Sequence, residues 1–252
     1  MHGVVRMVCL FAVGGLLLGF PGEAGAQPFS PYRQYSSNMF VNGNLKLFLQ
    51  KSWGRTLAER QGSTSALAEP PSTSQVKLPL TVSSFRTVSG PVMPRRLAAA
   101  FQELDDAQRQ ELESAFLEML KSYEQLLDQN DEQQLKNNLA GAFNFLFTSS
   151  YYALRNGQEL SDEQQESMLE QINNGIALSL RDRRLSDRDK QEMYETVVLA
   201  GSIVLGLYNE GRDKGRPEQM KMARELGREL LEQVMGITMD KVHVNGGTVR
   251  ID

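Results

Sequence analysis

The run Val197–Tyr208 constrains this chain most. Its twelve residues are apolar or small on every side and carry no charge. A helix of that composition has no polar face to turn towards water, so other helices must wrap it. It is also shorter than the roughly 20 apolar residues needed to cross a bilayer. The expected fold is therefore all-α: a multi-helix bundle around a buried central helix. Gly201, Ser202 and Gly206 within the run would let neighbouring helices approach closely.

The flanking sequence supplies the wrapping helices. Pro94 suits the first turn of a short helix over 95–101, because its fixed φ fits there and its missing N–H costs nothing. Asp105 or Asp106 caps a second helix, whose stripe Leu112, Phe116, Met119, Leu120, Tyr123, Leu126 and Leu127 repeats every 3.6 residues. A third is expected from Asn130 or Asp131 through Leu135, Leu139, Phe143, Leu146, Phe147 and Tyr151, stopped by Asn156-Gly157. Ser161 with Gln164 is a capping box that opens a fourth helix carrying Met168, Leu169, Ile172 and Ile176. Ser186 with Asp189 opens the fifth, which contains the apolar run. Asp replaces the usual Glu or Gln there, so only half of the reciprocal cap is secure. The two Leu-Ser-Asp starts, at Leu160 and Leu185, repeat good cap chemistry rather than a duplicated unit. Pro217 opens a sixth helix with Ala223, Leu226, Leu230 and Val234 as its stripe, and Gly236 closes it.

The end of the chain changes period. Val242-His243-Val244 and Val249-Arg250-Ile251 flank Asn245-Gly246-Gly247-Thr248, the pattern of a small C-terminal β-hairpin. Leu78, Leu80 and Val82 alternate with polar or turn residues, so 78–88 is expected to be extended and to pair with that hairpin.

The first 26 residues have the anatomy of a cleavable secretory signal. Arg6 precedes the apolar run Met7–Phe20, Pro21-Gly22 breaks it, and Ala24-Gly25-Ala26 offers small residues for cleavage before Gln27. The expected organisation is a signal peptide over 1–26, an N-terminal arm over 27–77 and a helical domain over 78–252. The arm contains a short amphipathic helix at 44–59, then a linker with Pro70, Pro71 and several Ser and Thr. The chain is expected to be exported, periplasmic or secreted, with no membrane span once the signal is gone.

Cleavage would also remove Cys9, the only cysteine, and His2, one of two histidines. Zinc sites built from Cys and His are then excluded by count. His243 sits on the hairpin with no Gly-x-Ser-x-Gly elbow anywhere, so it reads as an ordinary strand residue. There is no P-loop and no Gly-x-Gly-x-x-Gly, and no cofactor is expected. The net charge of −4 argues against nucleic-acid partners. Asp128, Asn130 and Asp131, and the stretch Arg181-Asp182 to Asp189, lack the spacing of a calcium loop, so no metal site is expected.

Carboxylates remain. Glu195 lies two positions before the apolar run, where desolvation would raise its pKa, and it is the one weak catalytic candidate. Tyr194 adjoins it, and Asn144, Tyr151 and Tyr152 are placed to face it from the third helix. The plainer reading makes Glu195 the partner of an Arg or a backbone donor at a helix junction. Glu166 and Glu170, and Glu225, Glu229 and Glu232, read as solvated helix faces. Phe145, Tyr151, Tyr152 and Tyr194 are candidates for a ligand groove or for core packing, Phe145 and Tyr152 lying off the main stripe.

From Leu80 to the end, about two thirds of the chain, the sequence resembles a family of exported bacterial proteins catalogued only as a domain of unknown function. The resemblance is carried by Phe85-Arg86, by Pro94-Arg95-Arg96-Leu97-Ala98 and by Ser150-Tyr151-Tyr152. It is strongest from Ser186 to Gly201, and continues in Tyr208-Asn209-Glu210 and Ala223-Arg224-Glu225-Leu226. It implies a helical exported domain and lends no catalytic residue. Residues 27–77 look peculiar to this chain. The expected function is a non-catalytic envelope or secreted module that binds a protein partner or a small apolar ligand. The alternatives are a carboxylate-dependent hydrolase acting on glycan, with Glu195 as acid, and a self-assembling envelope component whose arm packs onto a neighbour.

Overall fold

The computed structural model describes residues 77–102, 104–182 and 185–251; the expected signal peptide, the expected helix at 44–59 and nearly all of the expected linker lie outside them. Six α-helices, three short 3₁₀ turns, a π-helical turn at Leu231–Met235 and one hairpin make up the regular structure of the described residues. In chain order the helices are α1 (Met93–Ala99), α2 (Asp106–Gln129), α3 (Leu139–Leu154), α4 (Asp162–Asp182), α5 (Asp187–Asp213) and α6 (Pro217–Leu230). The strands β1 (Val242–Asn245) and β2 (Thr248–Ile251) follow.

Helix α5 takes the central position its composition demands, packed against α1, α2, α3 and α6. Every residue from Val197 to Tyr208 is buried except Gly206, which is half-buried. The small residue at 201 is what permits the closest approach. A Cβ there would stand 2.9 Å from Phe145 Cδ1 and 3.3 Å from Leu146 Cα. The centre is shared, however. All residues of α3 from Leu139 to Ala153 are also buried, between α4, α5 and α6. The absence of any charged residue over Leu139–Leu154 is the sequence signature of that burial.

The start of α3 differs from expectation. Asn130 and Asp131 do not cap it. Asp131 and Asn137 take left-handed backbone angles (φ 58° and 53°), and a single 3₁₀ turn, Gln133–Leu135, fills the interval. Asn138 is the cap, its Oδ1 accepting from the Gly141 N–H at 3.0 Å. Asn and Asp tolerate left-handed angles and bond their own backbone, so a cluster of them offers several cap registers. Packing of Leu135, fully buried, selects the late one. The box at Ser186 is also more complete than expected. Asp189 is short, yet its Oδ2 reaches the Ser186 N–H at 3.2 Å, so both halves close.

The expected hairpin forms, with Val244 opposite Val249 and Asn245 opposite Thr248. Gly246 at the turn takes φ 54°, an angle that costs glycine nothing. It does not pair with 78–88. It forms a two-stranded sheet of its own and lies on α4, whose Gln171 Nε2 donates to the Val249 carbonyl. Residues 80–83 are a 3₁₀ turn rather than a strand, and the following Ser84 bridges Asn138. Side chains of the helices claim this segment's polar backbone groups before a strand can.

Candidate functional site

Glu195 lies two turns into α5 and is 3% exposed. Its Oε2 accepts from the Val92 and Met93 N–H groups, both at 2.8 Å, and its Oε1 from Gln191 Nε2 at 2.8 Å. The first N–H groups of a helix have no partner within it and carry partial positive charge. Val92 supplies no side-chain cap to α1, so the carboxylate from α5 takes that role across the fold. Arg96 is drawn in beside it, pairing with Glu192 at 2.7 Å.

Gln191, one turn earlier, extends the same chemistry. Its Oε1 accepts from the Val88 N–H at 2.9 Å and its Nε2 lies 3.0 Å from the Ser89 carbonyl. Further along, Asn173 Nδ2 donates to the Leu78 carbonyl at 3.0 Å and Asn138 Nδ2 to the Leu80 carbonyl at 2.8 Å. Asn174 Oδ1 accepts from the Leu78 N–H at 3.4 Å. Ser83, fully buried, donates to Asn173 Oδ1 at 2.7 Å. The Phe85 N–H bonds the Asn137 carbonyl at 3.0 Å. Residues 77–92 thus form a strap laid across the start of α3, the middle of α4 and the first turns of α5. Amide and carboxylate side chains read its main chain, and Lys77 pairs with Glu166 at the exposed edge.

The aromatic candidates separate into three places. Tyr194 meets the strap's Phe85 edge-on (centroids 5.4 Å apart) and lies 6.0 Å from Tyr123, which in turn lies 4.8 Å from Phe145. Tyr151 stacks on Phe147 at 6.2 Å, with the Arg155 guanidinium 5.8 Å from its ring. Tyr152 meets Tyr208 edge-on at 5.2 Å and accepts from Arg212. All four candidates are buried. The Glu195 bonds run to the strap, α1 and Gln191, and Tyr151 and Tyr152 belong to the other clusters. Asn144 is fully buried, with no hydrogen-bond partner at either amide atom. The Tyr123 hydroxyl likewise has none. Burial, the main cause, pushes it and the Tyr194 phenol above their ordinary range.

A second buried acid carries no mark in the sequence. Glu132, in the turn after α2, is 2% exposed and neither of its carboxylate oxygens has a partner. Burial, with a smaller contribution from the Asp162 carboxylate, pushes it from 4.5 up to about 7. Its place among polar turn residues points outward. Leu135, three residues on, is fully buried in the core, and its N–H bonds the Glu132 carbonyl at 2.9 Å. The neighbouring Asp128 pairs with Lys136 at 2.6 Å. His243 is exposed on β1. Among the described residues, no three His, Cys, Asp or Glu side chains converge as a metal site would require, and no helix is long and apolar enough to cross a membrane.

No curated protein and no solved structure matches this chain. A family model does match, over residues 5–252, a span that takes in the arm at 27–77 as well as the helical region. The chain belongs to the family that this model describes, a family of unknown function (DUF6683).

Proposed function

We propose that this chain is an exported, non-catalytic interaction module of the cell envelope or its surroundings. The observation that carries this reading is the commitment of Glu195. An acid catalyst needs a proton-bearing oxygen facing its substrate. Both Glu195 oxygens instead accept bonds that hold α1 and the strap in place. This occupancy counts against the glycan-hydrolase alternative. Export is motivated by the leader anatomy of Arg6, Met7–Phe20 and Ala24-Gly25-Ala26. The polar side chains best placed for recognition, Asn138, Asn173 and Gln191, already recognise a peptide main chain, which is the chemistry of a protein-binding module.

The test is crosslinking in the native envelope, followed by native mass spectrometry of the purified chain. The expected result is a cleaved N-terminus at Gln27 and a retained protein or small molecule. A bare monomer from fully crosslinked material would refute the module, and an unprocessed N-terminus would refute export.

A further inference from the structure

We propose that the clamp beneath residues 77–88 also accepts that segment from a second copy of the chain, the strap exchanging between copies about the bend at Ser89–Gly90. This deepens the interaction-module reading and rests on it, since it names the partner. The manner in which the strap is held carries the argument. Of residues 77–88 only Ser83 and Phe85 are buried. The hold is otherwise polar and falls on main-chain groups: the Leu78, Phe85 and Val88 N–H groups and the Leu78 and Leu80 carbonyls. Ser83 adds buried side-chain bonds to Asn138 and Asn173, but a segment held mainly by polar bonds, with little apolar area, opens at lower free energy than the whole fold.

Opening leaves a specific vacancy. Asn173, Asn138 and Gln191 lose main-chain partners, and Tyr194 loses the ring of Phe85. The amides then bond water instead, and the vacated clamp remains matched to a chain that offers the same groups in the same order. A second copy supplies that chain by identity, and exchange of an identical element is a low-cost route to a dimer. The hinge is suitably placed. Ser89 and Gly90 are exposed, and a Cβ on Gly90 would meet nothing within 4 Å. Beyond the hinge, Glu195 holds Val92 and Met93, so α1 stays with its own body while the strap leaves.

The probe is a fluorescent peptide of residues 77–88, titrated against the full chain. Wild type is expected to bind it weakly, because its own strap competes. Phe85→Ala in the full chain, which loosens the strap in cis, should bind the wild-type peptide at least about tenfold tighter, as removal of an internal competitor requires. Adding Asn173→Ala to that variant should abolish the gain. Mass-labelled and unlabelled wild-type chains, mixed at high concentration, should give mixed dimers by native mass spectrometry. A helical Phe85→Ala chain that binds no better than wild type would overturn the proposal; if that variant does not fold, Ser83→Ala serves in its place. Peptide binding without mixed dimers would overturn the second copy as occupant. None of these outcomes depends on whether a foreign partner is captured in the envelope, so the two readings fail separately.

Discussion

Glu195 and Glu132 are equally hidden, at 3% and 2% exposure, and could hardly be held more differently. Around Glu195 three donors converge on one carboxylate, two from the start of α1 and one from Gln191. Around Glu132 there are none, and the nearest influence is another acid, Asp162. Burial alone therefore does not decide what an acid contributes. Where the fold supplies donors, a buried charge organises its surroundings. Where it supplies none, the same burial drives the group towards its neutral form.

The comparison can be broken at its stronger end first. Glu195→Ala leaves two helix-terminal N–H groups and a glutamine amide unpaired inside the protein. It should cost about 3–5 kcal/mol, since each buried donor left unmatched costs roughly 1–3 kcal/mol. Urea denaturation measures this, and hydrogen exchange should show the Val92 and Met93 amides losing protection before those of α5.

Glu132→Gln should have a smaller effect of opposite sign, and one that depends on pH. The folded-state value near 7 lies above the ordinary 4.5, so the fold prefers the protonated acid. The contribution of this group to stability is complete below pH 4.5, falls as pH rises through 7 and stays low above it. Glutamine does not titrate. The variant should match wild type near pH 4 and exceed it by at most about 3.5 kcal/mol at pH 8, since each tenfold change in proton affinity is worth roughly 1.4 kcal/mol. Equal denaturation midpoints at pH 8 would show that Glu132 finds a partner in solution.

The weakest effect belongs to Lys77, at the exposed end of the strap. Its bridge to Glu166 at 2.9 Å raises the lysine's pKa, yet both side chains are more than half exposed. Lys77→Ala should change the stability read from urea denaturation by less than about 0.5 kcal/mol, because solvent screens such pairs. A larger loss would mean that the strap is held more from its charged end than from its amides.

Much of this architecture is legible in the sequence, and the division follows range. Helices announce themselves through local signals: the stripe of α2, the boxes at Ser161 and Ser186, the apolar run of α5, and Gly236, which takes φ 68° at the end of the α6 region. The Asn-Gly turn places the hairpin. The roles of Asn138, Asn173 and Gln191 are not legible, because their partners lie 58, 95 and 103 residues away and nothing local distinguishes an amide that will bond a distant carbonyl from one that will face water. The same limit hides Glu132. Phe145, Tyr151, Tyr152 and Tyr194 stand out in the sequence as aromatics in need of a place, but spacing on one helix cannot assign them to three separate clusters.

The seating of the hairpin on α4 has a consequence for solubility. A two-stranded sheet presents an unpaired rim on each side, and such rims template the addition of further strands from other molecules. In this register the Val249 N–H and carbonyl point away from β1, towards the rim of β2. Ser167 and Gln171 of α4 occupy both groups, and Gln164 takes the Gly246 carbonyl at the turn. That rim is thereby sealed by side chains of the protein itself, leaving strand-by-strand aggregation no starting point at Val249.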